Sequence, residues 1–241
     1  MNQAQRITLV PAEKEMHDLQ TMIDDPALLR ARPGLISPSR QTFKRVFDIV
    51  VALLLLGPLL PIYVIVSLLI KLDGGPIFFA HERVGRGGRV FKCLKFRTMV
   101  PDAARVLDQV LACHPEARKE WLSTRKLKND PRITRVGKLL RVASIDELPQ
   151  LINVLRGDMS LVGPRPVVQE ELREHYKGDN AHYLFVRPGL TGLWQISGRS
   201  HADYEQRVYL DSWYVRNWSL WGDIIILLRT LPVVISGRGA Y

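Results

Sequence analysis

Ile49–Ile70 reads IVVALLLLGPLLPIYVIVSLLI, about 22 residues without a charge, which is the length a helix needs to cross a bilayer. Its centre holds Gly57, Pro58 and Pro61. Proline removes a helical hydrogen bond and clashes with the preceding turn; glycine adds a hinge. The segment therefore predicts two short apolar helices joined at a break, with Gly57, Pro58 and Pro61 as the hinge. Each half, about 10–12 residues, reaches only about 15–18 Å, short of a hydrocarbon core of about 30 Å.

The flanks bear on topology. Lys44 and Arg45 precede the run, and Lys71, Arg83, Arg86, Arg89, Lys92 and Lys95 follow it. Positive charge favours the cytoplasmic side. A bent hairpin keeps both flanks there, whereas a kinked but spanning helix sends one outside. The expectation is a re-entrant element over residues 41–72 that enters and leaves one leaflet.

Outward from this run the chain divides into three parts. Residues 1–40 balance five basic against five acidic side chains and hold four prolines, so they read as a loosely ordered extension with one short helix around Pro11–Leu29. All of the net charge of +10 therefore lies beyond residue 40, which points to anionic partners such as phosphate esters or an acidic membrane face. Residues 73–241 form the remaining domain. Two cysteines, Cys93 and Cys113, exclude a disulfide framework, and no zinc spacing or paired-histidine motif is present. Met1–Val10 is polar, so no cleavable signal peptide is expected.

Within 73–241, Ile77–Ala80 and Val90–Phe96 read as strands joined by the Gly- and Arg-rich turn Gly85–Arg89. Residues 101–125, 144–155, 166–177 and Tyr204–Ser236 have helical composition. Trp213, Trp218 and Trp221, with Arg216 and Arg229, predict helices lying in a membrane interface, or else ordinary core aromatics. The fold class expected is α+β, mainly α: a membrane hairpin, a small β-hairpin and interfacial helices around a catalytic domain.

Three stretches carry candidate chemistry. Lys95 and Arg97, near Arg83, Arg86, Arg89 and Lys92, can bind diphosphate oxygens, or form a solvated basic strand. Ser144-Ile145-Asp146-Glu147 is a capping box opening an apolar helix. Its adjacent carboxylates can instead divide labour, one attacking phosphorus and the other holding a divalent metal. Pro164-Arg165-Pro166 and Arg187-Pro188-Gly189 are rigid turns presenting Arg165 and Arg187, with Trp194 nearby as a nucleotide contact.

Taken in order, Lys44-Arg45-x-x-Asp48, Gly75-Pro76-x-Phe78, Arg83-x-Gly85, Lys95-Phe96-Arg97-Thr98-Met99, Asp146-Glu147-Leu148-Pro149-Gln150 and Gly157–Pro166 resemble the bacterial sugar transferases. These are monotopic polyprenyl-phosphate sugar-1-phosphate transferases, and the likeness is to the exopolysaccharide-initiating type. It covers about residues 41–241; Thr98 and Ile145 replace a common Ser and Leu. The resemblance implies transfer of sugar 1-phosphate from a UDP-sugar, a hexose such as galactose or glucose, to undecaprenyl phosphate. It implies Asp146 as nucleophile, Glu147 as the Mg²⁺-associated carboxylate, and Lys95, Arg97, Arg141, Arg165 and Arg187 around the phosphates. Lys44, Arg45 and Asp48 correspond to the group that starts the membrane helix. The expected setting is the bacterial inner membrane, with the site on the cytoplasmic face. Anionic lipids and a second copy of the chain are the further partners expected, and nucleic acid is not.

Overall fold

The computed structural model describes residues 38–124, 127–176, 180–197 and 204–235. The expected extension and its Pro11–Leu29 helix lie outside the described residues.

Helix α1, Pro38–Lys71, runs through Pro58 and Pro61. The expected division into two helices at Gly57–Pro61 is thus absent. Packing explains why. Ala52, Leu56, Leu59, Tyr63, Val66 and Ile70 recur at alternating spacings of four and three, forming one stripe that packs against the rest of the chain on both sides of the prolines. The two lost donors are outweighed by that continuous contact. Gly74, at φ 78°, and its amide bonded to Lys71 O (2.9 Å) end the helix.

Both ends of α1 are fastened to the same body. Near the start, Lys44 pairs with Asp223 at 2.6 Å and Asp48 accepts the Leu161 amide at 3.2 Å. Near the end, Tyr63 donates to Leu148 O, and Arg97 donates to Ile70 O at 3.2 Å. The opposite flank, including Leu53, Leu54, Leu60, Val64, Ile65 and Leu68, is exposed.

Strands β1 (Phe78–Val84) and β2 (Val90–Phe96) form the expected antiparallel hairpin, pairing Phe78 with Phe96 and Val84 with Val90. A 3₁₀ turn, Arg86–Gly88, caps it, with Gly87 and Gly88 left-handed. Pro115 splits the next helical stretch into α2 (Ala103–Cys113) and α3 (Pro115–Thr124). Helices α4 (Arg135–Val142) and α5 (Gln150–Arg156) flank a 3₁₀ turn at Ile145–Glu147.

Strand β3 (Ser160–Val162), helix α6 (Gln169–His175), helix α7 (Asn180–Phe185) and strand β4 (Gly189–Thr191) follow. The parallel pairing of β3 with β4 was not expected from the sequence. Glycine permits it: a Cβ on Gly189 would stand 2.1 Å from Gly163 N. Helices α8 (Leu193–Ile196), α9 (Tyr204–Arg216) and α10 (Leu220–Ile235) complete the body.

The main core gathers Leu151, Val154, Leu161, Leu210, Val215 and Ile226 from α5, β3, α9 and α10. Asn153, fully buried on α5, ties that helix to β2 by donating to Lys92 O (2.8 Å) and accepting the Leu94 amide (2.9 Å). The tryptophans divide between the two earlier readings. Trp218 is buried, its indole donating to Asp223 at 3.0 Å, and Trp213 packs on the core; only Trp221 is exposed.

Candidate active site

The acidic pair sits where α4 turns into α5. Ser144 adopts the left-handed conformation at φ 55°, rare for a residue with a side chain, and reverses the chain. Its side chain makes no cap hydrogen bond, so the expected capping box does not form. Ile145 and Leu148 anchor the turn by packing against Leu140 and Phe96. Asp146 and Glu147 are thereby presented to β2 rather than absorbed into a helix terminus.

Lys95 on β2 meets both carboxylates, at 3.6 Å from Asp146 Oδ2 and 2.7 Å from Glu147 Oε1. Asp146 is only 8% exposed. Burial raises its pKa above the ordinary aspartate value, Glu147 adds to that, and Lys95 and Arg141 oppose it. Burial works against the charge of Lys95, but Glu147 and Asp146 outweigh it and raise the lysine pKa. Arg141 is lowered by burial, against the pull of Asp146, and its Nε donates to Thr98 Oγ1 at 2.9 Å. Gly137 makes that placement possible, since a Cβ there would stand 2.0 Å from Thr98 O. The neighbouring Cys93 thiol is pushed up to about 11 by burial, so it stays protonated.

These residues border a cavity of about 1080 Å³. Lys95, Arg141, Asp146 and Glu147 line one part, and Arg165, Trp194 and Arg207 another. The Arg165 and Arg207 guanidinium groups lie 4.9 and 5.3 Å from the Trp194 ring centroid. Leu55, Leu59 and Ile62 of α1 and Phe78 and Phe79 of β1 add apolar wall. Charged and apolar side chains thus face one space.

Two expected phosphate ligands have backbone or carboxylate partners of their own. Arg97 is a strut. Its five N–H groups are matched by five acceptors: Pro76 O, Met99 O, Ile70 O and both oxygens of Asp73. It borders the cavity with no donor to spare. Arg187 does not line the cavity; its Nε donates to Gly157 O at 2.8 Å, near the start of α1. Lys44, Arg45 and Asp48 also lie there, outside the cavity. Each latches α1 to the body: Lys44 through Asp223, which Tyr214 (2.7 Å) and Trp218 also bond, Arg45 through the Val154 and Leu155 carbonyls, and Asp48 through the Leu161 amide. Pro58 lines the cavity, whereas Gly57 and Pro61 are exposed without lining it.

Sequence reading passed over Arg207 and Asn153, and gave no contact to Thr98, which stands in the Lys95–Met99 motif, or to Asp223. Asp223 is a lone acid at the head of an apolar helix.

Among the described residues no three His, Cys, Asp or Glu side chains gather to cage a metal. The two carboxylates of Asp146 and Glu147 fit Mg²⁺, which takes one or two carboxylates and completes its shell with water and substrate phosphate.

The adjacent carboxylates thus lie beside a lysine and an arginine, in a domain with one helix long and apolar enough to cross a membrane among the described residues. The family model of bacterial sugar transferases matches residues 39–237, and the chain belongs to that family. It is 56% identical over 214 residues to a UDP-galactose-lipid carrier transferase of Erwinia amylovora, covering 89% of this chain and 45% of that one. It is 53% identical over 214 residues to an undecaprenyl-phosphate galactose phosphotransferase of Salmonella typhimurium, with the same coverages. Thus the chain spans about half the length of these relatives. A shorter relative, the exopolysaccharide production protein ExoY of Sinorhizobium fredii, is 52% identical over 209 residues, 86% of this chain and 92% of that one.

Proposed function

We propose that the chain transfers sugar 1-phosphate from a UDP-hexose to undecaprenyl phosphate, releasing UMP and leaving a polyprenyl-diphosphate sugar, as a first membrane step of exopolysaccharide assembly. The observation that carries this is Lys95 bridging Asp146 and Glu147 in a cavity that α1 walls with leucine and isoleucine. The names of the relatives, which speak of UDP-galactose, lipid carrier and undecaprenyl phosphate, support the substrate class.

The chemistry is a double displacement. Asp146 attacks the phosphorus that bears the sugar; a bond forms from its carboxylate oxygen, and the bond to the UMP oxygen breaks. The acceptor phosphate then attacks the same phosphorus and frees the aspartate. Lys95 and Arg141 oppose the burial that raises the Asp146 pKa and balance the charge developing on the phosphoryl oxygens. Arg165 and Arg207, held against Trp194, supply cationic donors across the cavity. Glu147 would hold Mg²⁺, whose chemistry is to neutralise diphosphate charge.

We place α1 in one leaflet of the inner membrane with the body on the cytoplasmic face. Support comes from its attachments: a helix pinned to one body near both ends cannot leave that body on the far side of a bilayer, and its free flank is apolar.

UMP release from a panel of UDP-sugars with undecaprenyl phosphate, with Mg²⁺ and with EDTA, tests the activity. Asp146→Asn should lose at least about 10³-fold of turnover, and a phosphosugar adduct should be trapped on the wild-type enzyme before acceptor is added. Full turnover by Asp146→Asn refutes the nucleophile. Parallel initial-rate lines are expected; intersecting lines mean direct attack within a ternary complex. No release from any donor would leave a non-catalytic, anionic-lipid-binding module.

A further inference from the structure

Arg187 stands outside the catalytic cavity, and it has company there. Three arginines from separate parts of the chain lie near one another by the start of α1. Arg45, on α1, donates to Val154 O and to Leu155 O (2.8 Å), the carbonyls that end α5. Arg187 is held by Gly157 O, one turn on. The two groups bracket Gly157, where a Cβ would lie 3.4 Å from an Arg45 nitrogen. Arg86, on the exposed hairpin turn, borders the same small cleft as Arg187.

Capping of α5 accounts for Arg45 alone. Among the described residues Arg86 has no hydrogen bond or ion pair, and Arg187 has none beyond its Nε bond. The charges strain one another. Burial first, then Arg45 and Arg86, lower the Arg187 pKa, and only Asp48 pulls the other way. Guanidinium groups fixed by carbonyls, with further N–H groups unused, form a preorganised fork for a phosphate. The cleft that Arg86 and Arg187 border, together with Lys44 and Asp48, is about 20 Å³ against about 1080 Å³ for the catalytic cavity, so it takes the edge of a phosphate and not a nucleotide; Arg45 stands beside it at Gly157.

Position identifies the source of that phosphate. Arg45 precedes Ile49, the first residue of the uncharged run, by about 6 Å along the helix. The exposed apolar flank begins beside it with Val46 and Val50. With that flank in the leaflet, the three arginines stand at headgroup depth.

We propose that Arg45, Arg86 and Arg187 bind the phosphate of an anionic phospholipid headgroup, at a site separate from the catalytic cavity. The proposal rests on the membrane placement of α1 given above. It adds a lipid-specific anchor that fixes how the body sits on the surface.

Native mass spectrometry of the full chain released from detergent micelles tests it, with dioleoyl-phosphatidylglycerol or dioleoyl-phosphatidylcholine added. One phosphatidylglycerol should be retained with about a tenfold preference, and Arg86→Gln or Arg187→Gln should each cut that preference about fivefold, the share of one basic residue near an anionic surface. Arg187→Lys, which keeps the charge, should retain most of it. Arg86 is exposed, so Arg86→Gln should fold and release UMP in detergent at the wild-type rate. Equal retention of the two lipids overturns this proposal alone. Retention of neither overturns the membrane placement of α1 as well. Displacement of phosphatidylglycerol by equimolar glycerol 1-phosphate or inorganic phosphate would make the ligand a free phosphate and overturn the lipid assignment.

Discussion

Replacing Lys95 by Met isolates the charge that holds Asp146 ready. The ammonium lies 3.6 Å from Asp146 Oδ2. At that separation a unit charge contributes about 1 kcal/mol at the dielectric of water and about 4–5 kcal/mol at an effective dielectric of 20. The Lys95 side chain is 35% exposed, which places the pair in the screened half of that range. About 1–2.5 kcal/mol corresponds to about 1–2 pH units. Without Lys95, burial and Glu147 raise the Asp146 pKa against Arg141 alone. The carboxylate then ionises only at higher pH. The acid limb of kcat/KM for UMP release, followed from pH 5 to 9.5, should therefore move up by about 1–2 units. The plateau should also fall, by about 10²–10³, because a cation beside the reacting phosphoryl group is lost. The limb is the diagnostic readout, since a general loss of charge stabilisation lowers the plateau without moving it. Lys95→Arg should leave the limb near its wild-type position. An acid limb that stays in place or moves down in Lys95→Met would refute the electrostatic role.

Three further outcomes follow from the same geometry. Arg97→Met orphans three carbonyls and Asp73, so it should destabilise the protein by about 2–4 kcal/mol in thermal melts while activity per folded molecule holds within about threefold; tenfold loss of activity at unchanged stability would return Arg97 to the phosphate site. Gly137→Ala drives a Cβ against Thr98 O and should cost about 1–3 kcal/mol and loosen Arg141; an unchanged melting temperature refutes the close packing of α4. Asp211, buried under the Tyr176 hydroxyl (2.7 Å) and the Arg165 amide (3.3 Å), has its pKa raised by burial to about 7. Between about pH 4 and 7 the folded state holds the proton that the unfolded state has lost, so this group makes stability fall with rising pH, by up to about 4 kcal/mol, and stay level above. Asp211→Asn keeps an oxygen for both donors and should flatten that fall; an unaltered pH profile of the melting temperature contradicts the buried proton.

The hairpin was legible because its two apolar runs and its glycine turn are local signals, and the observed register bears them out. The path of α1 was not. Proline reports what a residue does to an isolated helix, and the stripe from Ala52 to Ile70 that carries the helix past Pro58 and Pro61 is defined by a partner surface. The flank opposite is apolar too, so no polar face marks which side is buried. The pairing of β3 with β4 was hidden for a related reason. Each strand has three residues, too short for alternation to show, and their contact depends on glycines far apart in the chain.

For the site, residue type located the chemistry and failed to apportion it. Asp146, Glu147, Lys95, Arg141 and Arg165 do border one cavity. Yet Arg97 and Arg187, as cationic and as rigidly flanked as the others, have their donors engaged differently. An arginine grips a phosphate only with the donors its own fold leaves over. Arg97 has none, because Asp73 and three carbonyls take all five. Arg187 gives one donor to Gly157 O but lies on the other side of α5's carboxyl end, beside Arg45. Sorting the arginines of such a chain therefore requires the acceptors around each one, and these come from turns such as Asp73–Pro76 and Gly157 whose closure no local pattern announces.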